Sequence, residues 1–180
     1  MVDIKRTLPE HRLELELYQS VTEYISHYYD LAKQTNNQML LLLVMLYQRI
    51  LSSSSFALHD TMKRRLAFLR NGFVANETAL ETLEDSDEPD FRKLISLKIS
   101  NTKDVLGKEM VFVTDCLTKA EAIAQVFGDA KLKELLRIIE ELKKRENNPE
   151  LKVIIFSEFR ATQAGIKDYL SRYGYPPVLG

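Results

Sequence analysis

Apolar positions along this chain recur mostly at three- and four-residue steps, the spacing of a helix with one buried stripe. From Tyr18 the stripe is Val21, Tyr24, Ile25, Tyr28 and Leu31, which predicts a helix to about Ala32. Gln34 to Gln38 is polar, with Asn36 and Asn37 as candidate caps. Met39 to Leu51 is apolar on every side, so this helix is expected at the centre of a bundle. Leu42→Ala would then cost about 2–5 kcal/mol. Ser52 to Ser55 interrupts, and a serine there can accept from the free amides of the next helix, Phe56 to Arg70. That helix carries Leu58, Met62, Leu66 and Leu69 on one stripe. Gly72 is a good stop. Short helices are expected at Asn76 to Leu83 and Phe91 to Ile99, with a solvated loop, Asp85 to Asp90, between them. Val105 to Phe127 reads as a long helix. Gly128 breaks it, Asp129 caps the next, and Ala130 to Arg145 is amphipathic.

Two segments depart from the helical period. Arg12 to Leu17, RLELEL, alternates and predicts a short half-buried strand. Lys152 to Phe156, KVIIF, predicts a second strand. After it come a polar turn (Ser157 to Arg160), a helix (Ala161 to Tyr173), a stop at Gly174, and a further strand entry at Pro177 to Leu179. A parallel strand–helix–strand unit needs neighbours. Pairing of residues 12–17 with 152–156 is therefore expected, because an orphan strand exposes its edges.

Composition narrows the class. The chain has 180 residues, 45% of them apolar, which is enough for a real core. Net charge is -1, so no global basic field attracts nucleic acid. The acidity is local: residues 1–75 carry +2, 76–93 carry -5 and 94–180 carry +2. Cys116 is the single cysteine, which rules out an intrachain disulfide and favours a reducing cytoplasm. The longest apolar run, Met39 to Tyr47, is nine residues, about half a bilayer span, so no membrane partner is expected.

Several chemistries lack their residues. There is no Gly-rich phosphate loop, no zinc spacing around His11, His27 and His59, and no nucleophile elbow. Asp85, Asp87 and Asp90 lack the glycine and closing glutamate of a calcium loop. Cys116 reads as a small buried hydrophobe. Two readings stay open for Lys63, Arg64 and Arg65: a solvated helix end, or phosphate contact. Tyr18, Tyr24, Tyr28 and Tyr29 fit core positions better than base stacking. Ser157 to Arg160 lies after a predicted parallel strand and before a helix, where α/β sheets bind ligands and helix amides favour phosphate. Ser157 and Thr162 add hydroxyls and Arg160 a donor fork; the alternative is a plain connecting loop.

KVIIFSEFRATQAGIKDYLSRYGY resembles the fourth helicase motif and the start of the second RecA-like lobe in superfamily-two ATPases, closest to the SWI/SNF type. The segment from Asp129 resembles the linker helix before that lobe. LYQRILSSSSFALHDTMKRRL, Leu46 to Leu66, resembles the helical segment of the bacterial RNA-polymerase-associated branch. Asp3 to Pro9 resembles the exit from the first lobe. The resemblance implies a mainly α fold: a helical bundle with a truncated α/β (RecA-like) C-terminal portion. Residues 1–17 would be the exit and strand, 18–128 the helical insertion, and 129–180 the linker helix and start of the second lobe. It implies a parent that uses ATP and Mg, tracks on duplex DNA and hydrolyses ATP, with RNA polymerase as a protein partner of that branch.

The ATP loop, acidic box and arginine finger of the family are not among these residues. The chain is therefore expected to contain no cofactor site and no catalytic residue, and to need the missing parts of both motor lobes. Residue by residue, the resemblance implies nucleic-acid contact at Ser157, Phe159, Arg160 and Thr162. Glu158 is expected to orient Arg160 or cap the helix. Lys63, Arg64, Arg65 and Arg49 follow as second candidates, and Arg49, set among apolar residues, must be paired if buried. The rival reading is a non-enzymatic helical module that binds a protein partner.

Overall fold

The computed structural model describes residues 11–70, 103–124 and 129–175, and its regular structure there is helical. Six helices are described: α1 (Arg12–Gln34), α2 (Gln38–Ser53), α3 (Ser55–Arg70), α4 (Lys103–Ala122), α5 (Ala130–Arg145) and α6 (Arg160–Arg172). The expected helices at 76–83 and 91–99, the loop at 85–90, the stops at Gly72 and Gly128, and the strand entry at 177–179 lie outside the described residues. So does the likeness to a lobe exit at residues 3–9.

Helices α1 to α4 form a closed ring: α2 packs on α1, α1 on α4, α4 on α3 and α3 on α2. Their shared core joins Leu17, Val21 and Ile25 to Leu43, Ile50, Leu58 and Met62, with Val113 and Cys116 closing it. Burial pushes the Cys116 thiol up to about 12, as expected of an inert core cysteine. Tyr24 and Tyr28 are core residues. Tyr18 donates its hydroxyl to the Leu51 carbonyl, 2.9 Å away. A second, smaller core holds Leu136, Ile139 and Leu170, between α5 and α6.

Two expectations are overturned. Residues 12–17 are not a strand but the first turns of α1. Leu and Glu are strong helix formers, and RLELEL has no β-branched or aromatic residue, so propensity outweighs the alternation. In the helix Leu17 is buried while Leu15 is 43% exposed. The strand pairing between 12–17 and 152–156 therefore does not exist. Lys152 to Phe156 has no strand assignment, and none of its backbone groups finds a hydrogen-bond partner among the described residues.

The position of α2 is the second correction. It is not at the centre, because Met39, Leu42 and Met45 form an outward stripe at 42–44% exposure. Leu42→Ala therefore does not carry the full core cost. Asn37 caps α2 by accepting from the Leu40 amide at 3.0 Å, and Gly174 at φ 81° ends α6.

The bundle encloses a charged pair. Arg65 Nε donates to Glu109 Oε1 at 2.8 Å, and Tyr24 donates to the same oxygen at 3.0 Å. Both side chains are fully buried. Burial works against the Arg65 charge, but Tyr47 and Glu109 outweigh it and hold the guanidinium pKa above its usual value. Among the described residues, no helix is long and apolar enough to cross a membrane.

Candidate nucleic-acid interface

Four helix ends meet at the serine run. The last carbonyls of α2 and the first amides of α3 have no partners within their helices. Ser54, extended between them, accepts from the Ala57 amide at 3.1 Å and so caps α3. Lys131 places its ammonium on the Ser52 and Ser53 carbonyls, 2.9 Å from the latter, where the α2 dipole favours a cation. Asp129 caps two helices at once. One oxygen accepts from the Ser55 amide at 2.8 Å and the Ser55 hydroxyl at 3.0 Å. The other accepts from the Lys131 amide at 2.9 Å. Glu14, reaching from α1, accepts from the Ala130 amide at 2.6 Å. Thr162, in the first turn of α6, bonds Ser53 at 2.9 Å and Ser54 at 2.6 Å.

Beside this seam lies an open hollow of about 750 Å³. The end of α2 forms one wall, with Met45, Gln48, Arg49, Ser52 and Ser53. Phe156 to Phe159, with Thr162 and Ile166 of α6, form the other. Arg49 and Glu158 make an ion pair across it, with side chains 57% and 55% exposed. Such a pair is worth about 0–1 kcal/mol. Phe156 is 90% exposed. Phe159, the N-cap residue of α6, makes no side-chain hydrogen bond to the first turn. A cation, hydroxyls and a helix N-terminus on one open face suit an anion such as a phosphate group.

The hollow gathers three of the expected contact residues. Ser157 is half-buried and its carbonyl accepts from Gln163 Nε2 at 2.8 Å. Phe159 leans on the bundle core. Thr162 is buried, with its hydroxyl committed to the two serines. Arg160 is exposed at the start of α6. Glu158 pairs with Arg49. Arg49 is exposed, so its charge is compatible with its apolar sequence neighbours.

The α3 cluster is not part of this face. Lys63 is exposed, Arg64 pairs with Asp60 at 2.9 Å, and Arg65 is sealed in the core. The sequence left a solvated helix end and phosphate contact open for this run, with phosphate contact as a second candidate; a helix turns 100° per residue, so the three consecutive side chains do not share one face.

Gln48, Ser52 and Ser53 went unread as site residues. The signal was four serines between two apolar helices, which is more hydroxyl than one cap needs. Among the described residues no group of three or more His, Cys, Asp or Glu is placed to hold a metal ion. Comparison with family models, curated proteins and solved structures finds no match for this chain.

Proposed function

We propose that this chain is the helical brace and the start of the second RecA-like lobe of a DNA-dependent ATPase of the SWI/SNF type, and that it contributes contacts to the nucleic-acid backbone. The carrying observation is the hollow, which joins Ser157, Phe159 and Thr162 to Arg49 on one open face. A truncated α/β portion fits the run Lys152 to Phe156, which is not helical. Its apolar side chains Ile154 and Phe156 are 78% and 90% exposed, as in a strand whose sheet is supplied by further chain. In this reading ATP, Mg and the arginine finger belong to other parts of the motor, and residues 1–180 brace the lobes without hydrolysing ATP.

Two measurements test it. Residues 1–180 with duplex DNA should turn over no ATP. Duplex affinity should fall with salt, and Arg49→Ala combined with Arg160→Ala should weaken it. Turnover by this chain alone, or a flat salt response with no loss in the double variant, would sink the proposal.

The exposed stripe of Met39, Leu42 and Met45 favours a second reading, a helical module that docks a protein partner. It predicts no duplex binding even at low salt.

A further inference from the structure

The contact that spans the hollow is between Arg49 and Glu158. Among the residues lining the hollow, Arg49 is the one cation and Glu158 the one anion, and the rest are hydroxyl, amide or apolar. Among the described residues, Arg49 has no other hydrogen-bond or ion-pair partner. The pair therefore decides the charge of the lining, beside a Lys131 ammonium already engaged on the Ser52 and Ser53 carbonyls. With Glu158 on Arg49 the lining is neutral, and with Glu158 turned away it offers a guanidinium beside Ser52 and Ser53.

We infer that Glu158 is an internal stand-in for phosphate, an autoinhibitory contact that a nucleic-acid backbone phosphate displaces from Arg49. The inference rests on the proposed DNA contact and adds its regulation. A carboxylate and a phosphate present oxygens to a guanidinium in the same paired geometry. The exchange is cheap, because both side chains are more than half exposed. Glu158 sits in the irregular segment just before α6, so a side-chain rotation suffices and no helix has to move. Arg49 stands near the end of α2, fixed by the Leu46, Tyr47 and Ile50 side chains that the helix buries.

The test is duplex DNA affinity by fluorescence anisotropy at several salt concentrations. The set is wild type, Glu158→Gln, Arg49→Ala, the two combined, and Glu141→Gln as a control for charge alone. Glu141 lies on α5 with its side chain 60% exposed. Glu158→Gln is expected to bind about two- to fivefold tighter at low salt, from the loss of one competing surface pair. Its plot of log affinity against log salt should keep the wild-type slope, because the same phosphate is neutralised once Glu158 is displaced, while Arg49→Ala should lose about 0.9 of that slope. In the Arg49→Ala background the gain should vanish.

An unchanged or weaker Glu158→Gln, a gain that survives without Arg49, or an equal gain from Glu141→Gln overturns the inference. If wild type binds and Glu158→Gln is silent, only the stand-in role falls. If no variant binds, the DNA contact itself falls with it.

Discussion

A single guanidinium shows how position overrides residue type. Arg64 and Arg65 are neighbours in a basic run, yet Arg64 shares a partly open pair with Asp60 while Arg65 is enclosed with Glu109. Enclosure is costly, and the pair is tolerated because Glu109 receives both the guanidinium and the Tyr24 hydroxyl. Removing one partner leaves the other charged and dry. Arg65→Ala should therefore lose about 3–5 kcal/mol in urea unfolding, a large share of a domain's stability. Arg65→Met with Glu109→Leu and Tyr24→Phe should recover most of that loss, because the three apolar side chains need no partner and no hydroxyl is orphaned. A wild-type urea midpoint for Arg65→Ala would show that water reaches the pair.

At the scale of elements, the close approach of α6 to α3 rests on one missing side chain. A Cβ added at Gly165 would lie 2.8 Å from two ring carbons of Phe56, including the one at the base of the ring. Alanine gains up to about 1 kcal/mol of helix propensity over glycine. Displacing a packed ring costs about 1–3 kcal/mol, so the clash decides the sign. Gly165→Ala should lower the urea midpoint, and Phe56→Ala in the same chain should remove the clash while adding a cavity. A midpoint raised by Gly165→Ala would mean that α6 does not dock on α3 as described. This contact was not legible in the sequence, where Gly165 reads as a weak spot in a helix. Period and caps, by contrast, were legible: Asn37, Ser54 and Asp129 cap as expected. RLELEL misled because alternation was weighed above propensity. The outward face of α2 misled because an all-apolar helix carries no mark of which side is covered. The hollow was half legible: Ser157 to Thr162 stand in one run, whereas Arg49 and Ser53 reach them only through the fold.

Among the described residues the molecule has two cores of unequal size, joined by polar contacts and by the packing of Phe159 on the bundle and of α6 on Phe56 at Gly165. The bundle core runs through all four of its helices, while the α5–α6 core has three buried residues. Each fully buried aliphatic side chain contributes about 1.5–3 kcal/mol, so the smaller core supplies little against its ordering entropy. Thr162, Asp129, Glu14 and Lys131 then hold α5 and α6 to the bundle by hydrogen bonds, each worth about 0.5–1.5 kcal/mol net and more where a charge takes part. This arrangement makes α5 and α6 the part that opens first. Native-state hydrogen exchange should find the amides around Leu170 less protected than those around Leu43 and Ile50. Thr162→Val removes the hydroxyl from the seam and should speed exchange in α6 while leaving α2 unchanged. Equal protection in α2 and α6, lost together in one global step, would mean that the two cores unfold as one. The loose coupling also suits the proposed function: the wall of the hollow that carries Glu158 belongs to the weakly held part, and the wall that carries Arg49 belongs to the firm one.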